Sequence, residues 1–243
     1  MQQVKWRAYT PGLDPRRTKL EVPGWGGSRE PRKDGSMEQA WHCLPFSESA
    51  RYGIELFYPY RNEFRASVRG QLILEGDFGP APEGWGGEWP PFRTFGDLYY
   101  TFQLSLDLKV EEGSAIRIEP HPRFYTDPTN TTPIAVPALI RRWWPMVYFL
   151  VFKSPPEGGT HVFRPGEPFV QILVLPEEAA FELVPMSEEE AAERELQSRR
   201  IYQSRGALSA ETQWRSATNT VFDGTYRHIL GAANEREKQA RRR

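Results

Sequence analysis

Seven side chains suited to gripping an anion or a flat ring fall in one stretch: His121, Arg123, Tyr125, Arg141, Arg142, Trp143 and Trp144, around a Pro-rich loop. A guanidinium offers a planar fork of donors that matches a carboxylate, and it also stacks on aromatic faces. Indoles beside it add a large apolar surface with a polar handle. Such a cluster can hold a small aromatic or anionic ligand, or an aromatic side chain of a peptide. A plainer arrangement uses the same residues, with Arg141 and Arg142 at a strand end and the tryptophans in a core or an interface.

Trp85 and Trp89 form a candidate second wall with His121 and Arg123. Trp85 lies in Gly84-Trp85-Gly86-Gly87, which repeats Gly24-Trp25-Gly26-Gly27. Glycines could present an indole to a ligand, or the indole could simply pin an open loop to the body. Neither copy is a phosphate-binding loop, because no Lys-Ser/Thr follows.

Metal chemistry has weaker support. A non-haem iron site needs a His-x-Asp/Glu pair, which points two ligands from one strand at one ion. His121 is followed by Pro122-Arg123 and His161 by Val162-Phe163, so neither supplies the carboxylate. An alternative reading joins His121, His161 and Glu167 through the fold, as the centre of an oxygenase-like or cyclising enzyme. Nucleophilic catalysis has no Gly-x-Ser-x-Gly elbow to start from. Cys43, the one cysteine, follows His42 directly, which puts the two side chains on opposite faces of a strand. No cofactor is expected.

These residues need a scaffold, and composition narrows it. Aromatics make up 13% of the chain, which carries 22 prolines and 20 glycines, so large core residues alternate with frequent turns. That balance suits sheets better than helical bundles. A formal net charge of -1 gives no bulk attraction for nucleic acid or an anionic membrane. A single cysteine excludes an intrachain disulfide, and the polar, Pro-punctuated residues 1–23 do not resemble a secretion signal. The expectation is a bacterial cytoplasmic protein with no nucleic-acid or membrane partner.

Along the chain, residues 1–40 read as a Pro/Gly-rich arm, 41–185 as a β-domain, and 186–243 as a helical C-terminal segment with a frayed basic end. The clearest strand is 100–110, where Tyr100, Phe102, Leu104, Leu106, Leu108 and Val110 alternate with polar residues. A period of two puts one face on a core, as in an antiparallel sheet. Residues 111–114 read as a hairpin turn into a strand at 115–119. Residues 53–59 read as a strand, and 66–78 as a strand bulged at Gly70. Residues 146–152 and 169–175 are apolar on both parities and read as central strands, with a short strand at 161–163 between them.

Ser187 and Glu190 form a capping box for a helix over 188–204, supported by Glu190/Arg194 and Glu195/Arg199 and stopped at Gly206. A second short helix is expected around Trp214. Strands separated by Pro/Gly turns, with no helices between them, predict an antiparallel β-sandwich of jelly-roll type with a C-terminal helix.

Several blocks resemble an uncharacterised bacterial domain family over residues 41–205. They are Cys43-Leu44-Pro45, Gly53-Ile54-Glu55-Leu56, Trp143-Trp144-Pro145 and Phe163-x-x-Gly166-Glu167-Pro168-x-x-Gln171-Ile172. The resemblance implies one β-domain backed by a helix and an accessory role in a bacterial biosynthetic pathway, for instance one making peptide natural products. It implies no catalytic residue. The resulting expectation is a non-catalytic binding protein for a peptide or a small aromatic or anionic ligand. An exposed sheet edge could also take up a peptide strand. The other alternative is a structural homo-oligomer, for instance a homodimer, in which the Trp-rich rim and the C-terminal helix are interface.

Overall fold

In the computed structural model of the chain, the described residues are 3–19, 44–125, 127–204, 213–215 and 221–223. The first Gly-Trp-Gly-Gly copy, His42, Cys43, Gly206 and the tail from 224 lie outside them. The chain divides into two compact units, Met1–Pro23 with Glu48–Ala179, and Gly24–Ser47 with Ala180–Arg243.

Among the described residues the first unit has thirteen strands: β1 (Lys5–Ala8), β2 (Arg16–Arg17), β3 (Ile54–Phe57), β4 (Phe64–Arg69), β5 (Gln71–Gly76), β6 (Phe92–Phe95), β7 (Tyr99–Lys109), β8 (Ser114–Pro120), β9 (Ile134–Ala135), β10 (Ala138–Ile140), β11 (Val147–Lys153), β12 (Thr160–Phe163) and β13 (Pro168–Pro176). A short helix, α1 (Leu44–Ser49), precedes β3. Every strand pairing is antiparallel. One sheet runs β1-β7-β11-β9 with β6 also on β7, a second runs β10-β8-β13-β3-β2, and a third runs β12-β4-β5. This is the mainly antiparallel β architecture that composition and periodicity predict.

The sheets share one core. On β7 the alternation works as read, and Tyr100, Phe102, Leu104 and Leu106 are fully buried. They meet Phe64 and Phe163 from the third sheet and Phe169, Val170 and Ile172 from the second. The rings pack in register: Phe92 stacks on Phe64 at 3.6 Å and on Phe102 at 4.4 Å. Burying one such side chain is worth roughly 1.5–3 kcal/mol, so a few large aromatics offset the modest apolar fraction.

Three expectations are corrected. The arm is partly in the sheets, since β1 pairs with β7 and β2 with β3. Gly70 is not a bulge but the turn of a hairpin, with φ +73 and the Arg69↔Gln71 pair closing β4 onto β5. Glu111 to Ser114 does form a turn, but β7 and β8 belong to different sheets, so it carries the chain from one sheet to the other. Strand β11 lies between β7 and β9, central to its sheet as its apolar run predicts, with Tyr148 and Phe149 exposed.

In the second unit, α2 (Glu188–Ser204) starts as its capping box dictates. Glu190 N–H donates to Ser187 Oγ at 3.2 Å, and Ser187 N–H donates to Glu190 Oε2 at 2.9 Å. Arg199 pairs with Glu195 one turn earlier at 2.5 Å. The helix expected at Trp214 is instead a strand, β14 (Gln213–Arg215), paired with β15 (Val221–Asp223). Among the described residues no helix is long and apolar enough to cross a membrane.

Candidate ligand pocket

The end of the first unit where β7 leaves one sheet and β8 enters another holds a cavity of about 530 Å³. The cavity lies where the end of β7 and the start of β8 pass from one sheet to the other. Leu108, Val110, Ile116, Ile140 and Val147 supply its apolar lining. Its rim is charged, with Lys5, Asp107, Lys109, Glu111, Glu112, Arg141 and Arg142 around Trp144.

A turn positions the recognition residues. Strand β10 pairs with β8, matching Ile140 to Ile116, and β11 begins with Val147 opposite Leu106 on β7. The linking residues therefore bridge the two sheets across the cavity mouth. Trp144 N–H donates to the Arg141 carbonyl at 2.9 Å, which closes a four-residue turn and brings Arg141 and Trp144 to adjacent corners. Trp144 lines the cavity. Trp143 is outside it, 72% exposed, with its ring edge-on to Trp144 at 5.4 Å.

Three of the acidic groups at the rim are engaged. Asp107 pairs with Arg7 at 3.0 Å, Glu112 with Arg142 at 3.2 Å, and Glu111 accepts the Gln3 N–H at 3.0 Å. Among the described residues, Lys5, Lys109 and Arg141 have no ion-pair partner.

The remaining expected residues are elsewhere. His121 follows the far end of β8, five residues beyond Ile116, or roughly 17 Å along an extended strand. It is buried, its Nε2 lies 3.2 Å from Glu55 Oε2, and its Nδ1 accepts the Arg123 N–H at 3.2 Å. Arg123 reaches Glu167 at 2.5 Å, and Arg164 links Glu167 to Glu63, each at 3.6 Å. Trp89 packs edge-on against Tyr60 and Phe78 and donates its indole N–H to the Gly79 carbonyl at 2.8 Å. Trp85 rests on Trp89. These indoles anchor the 79–91 loop, and no second wall forms from Trp85, Trp89, His121 and Arg123.

The alternative metal centre does not assemble either. His121 faces Glu55, His161 Nδ1 lies 2.9 Å from the Tyr100 hydroxyl, and Glu167 faces two arginines. Among the described residues no three His, Cys, Asp or Glu side chains converge as a metal-binding group.

Lys5 and Lys109 were not legible as site residues. Lys109 ends the alternating strand, but only the pairing of β1 with β7 brings Lys5 to it, and no local pattern announces that register. The buried Glu55 was equally hidden, inside a strand of mostly apolar residues.

No family model matches the chain, and no curated protein does. Among solved structures, native EIAV dUTPase superposes with a TM-score of 0.37 at 10% identity, over 76% of this chain and 98% of that one. Similarity at that level supports no conclusion about this chain.

Proposed function

We propose that the protein is a non-catalytic binding protein, and that the cavity at the β7–β8 crossover holds a small ligand with a planar aromatic part. One observation carries this reading: the turn of Arg141, Arg142 and Trp144, singled out by residue type, lines a cavity of about 530 Å³. That volume falls within the range of small-molecule sites, which combine apolar walls with a few directed polar groups. Trp144 offers a stacking face beside an apolar floor, and Arg141 offers a fork of donors at the next corner. An aromatic side chain of a peptide would meet the same groups. The resemblance in the Gly166-Glu167-Pro168-x-x-Gln171 block is the support for setting this role in a bacterial biosynthetic pathway, as an accessory to its enzymes.

The test uses 2-naphthoate, an aromatic carboxylate, followed by its own fluorescence anisotropy with the full chain. Binding is expected, weakened by about tenfold or more in Trp144→Ala, as for a central aromatic anchor. Equal affinity in the variant and the parent would overturn the assignment of this pocket.

A further inference from the structure

The strand pairing at the pocket rim contains a pair of like charges. In the antiparallel register of β1 with β7, Lys5 is directly opposite Lys109, and Arg7 is directly opposite Asp107. Residues two apart share a face, so the two pairs stand side by side. Arg7 and Asp107 close an ion pair at 3.0 Å. Lys5 and Lys109 do the reverse, since directly opposed side chains hold their Cβ atoms about 4.5–5.5 Å apart and like charges there destabilise a sheet. Both lysines line the cavity, as does Arg141.

Local acids do not cancel this charge. Glu112 is engaged by Arg142 and Asp107 by Arg7, while Glu111 accepts a backbone N–H. Among the described residues, the mouth thus gathers three cations without an ion-pair partner against one carboxylate, Glu111, that meets only a backbone N–H, on a chain whose formal net charge is -1. Repulsion of this kind is relieved by an anion seated between the ammonium groups, with a guanidinium fork beside them.

We infer that Lys5, Lys109 and Arg141 form an oxyanion subsite, and that the ligand of this pocket carries a multiply charged phosphate or carboxylate group next to its aromatic part. The inference rests on the pocket being a ligand site, and it names the ligand's chemical class. The ammonium groups supply charge, Arg141 supplies direction, and Trp144 takes the planar portion.

Inorganic phosphate, pyrophosphate and succinate, titrated separately by calorimetry into the full chain at low ionic strength, test the subsite. One or more is expected to bind at one site per chain, and phosphate against succinate tells a phosphoryl from a dicarboxylate group. Lys5→Gln and Lys109→Gln should each weaken binding by about tenfold, the scale of one lost charge-assisted contact. Lys5→Glu sets opposite charges across the pair. It should abolish anion binding while raising Tm by about 1–3 °C. Neutral 2-naphthol is the control: it should bind all three lysine variants like the parent and lose affinity in Trp144→Ala. Anions that bind none of the proteins, or bind the parent and the lysine variants alike, would overturn the subsite. If 2-naphthol still binds through Trp144 in that case, the aromatic pocket stands. Lysine-dependent anion binding without naphthol binding would keep the subsite and remove the aromatic reading.

Discussion

Two buried imidazoles show how a residue type that suggests catalysis can be committed to the interior. Nδ1 of His121 accepts a backbone N–H, which leaves its proton on Nε2 facing Glu55. Tyr100 is fully buried and its phenol is pushed well above the ordinary range by that burial, so it keeps its proton and its hydroxyl shares a hydrogen bond with Nδ1 of His161. Burial lowers the pKa of both histidines, that of His161 to about 4, from an ordinary value of 6.5. For His121 the Glu55 hydrogen bond opposes the burial effect without reversing it. A depressed folded pKa means that the unfolded chain takes up the proton first as pH falls. The neutral imidazoles therefore stabilise the fold fully above about pH 6.5, and this contribution is lost on the way down to about pH 4. For His161 the scale is about 3 kcal/mol. Thermal melts of the parent should fall in Tm across that window. His161→Phe should flatten the fall relative to the parent, and parallel curves for the two proteins would refute this role.

At the scale of elements, close approach between strands sets the tightest constraints. Gly53 precedes β3 with φ +93, and a Cβ built on it would sit 2.3 Å from the Ile172 carbonyl oxygen on β13. Both the left-handed backbone and the contact exclude a side chain. Gly53→Ala should destabilise the protein by at least about 2 kcal/mol, because the β3–β13 pairing must open to admit the methyl group. Urea unfolding monitored by Trp fluorescence measures it, and an unchanged midpoint would mean that the strand shifts freely. Elements with a strong local signal were legible in sequence: the alternation of β7, the apolar run of β13 and the capping box of α2. What misled was context. A single Gly70 between two apolar stretches reads equally as a bulge or a turn, and only pairing of Arg69 with Gln71 decides. The Arg141–Trp144 half of the site was legible because its residues are contiguous and close their own turn. The supposed second wall was not, since His121 and Trp144 are near in sequence but lie beyond opposite ends of β8 and β10.

At the scale of the whole molecule, the pocket exists because three distant parts of the chain meet at the β7–β8 crossover. β1 is the part that sequence alone did not place. It covers the edge of β7 from Leu106 to Lys109, sets Trp6 beside Leu108, and delivers Lys5 to the cavity rim. Without it, the backbone groups that β7 turns toward β1 would be unpaired beside apolar side chains, which is the geometry that invites strand addition from another copy. Deletion of residues 1–8 should therefore have two separable effects. Phosphate or succinate binding should weaken by about tenfold or more with the loss of Lys5, and the shortened chain should self-associate with increasing concentration in size-exclusion chromatography. Restoring only the edge, by replacing β1 with a Thr-rich strand of equal length, should cure the association but not the anion binding. Recovery of both would show that the backbone of β1 matters and its lysine does not. Recovery of neither would show that residues 5–8 contribute through packing of Trp6, which places the edge's stability in one indole rather than in the pairing.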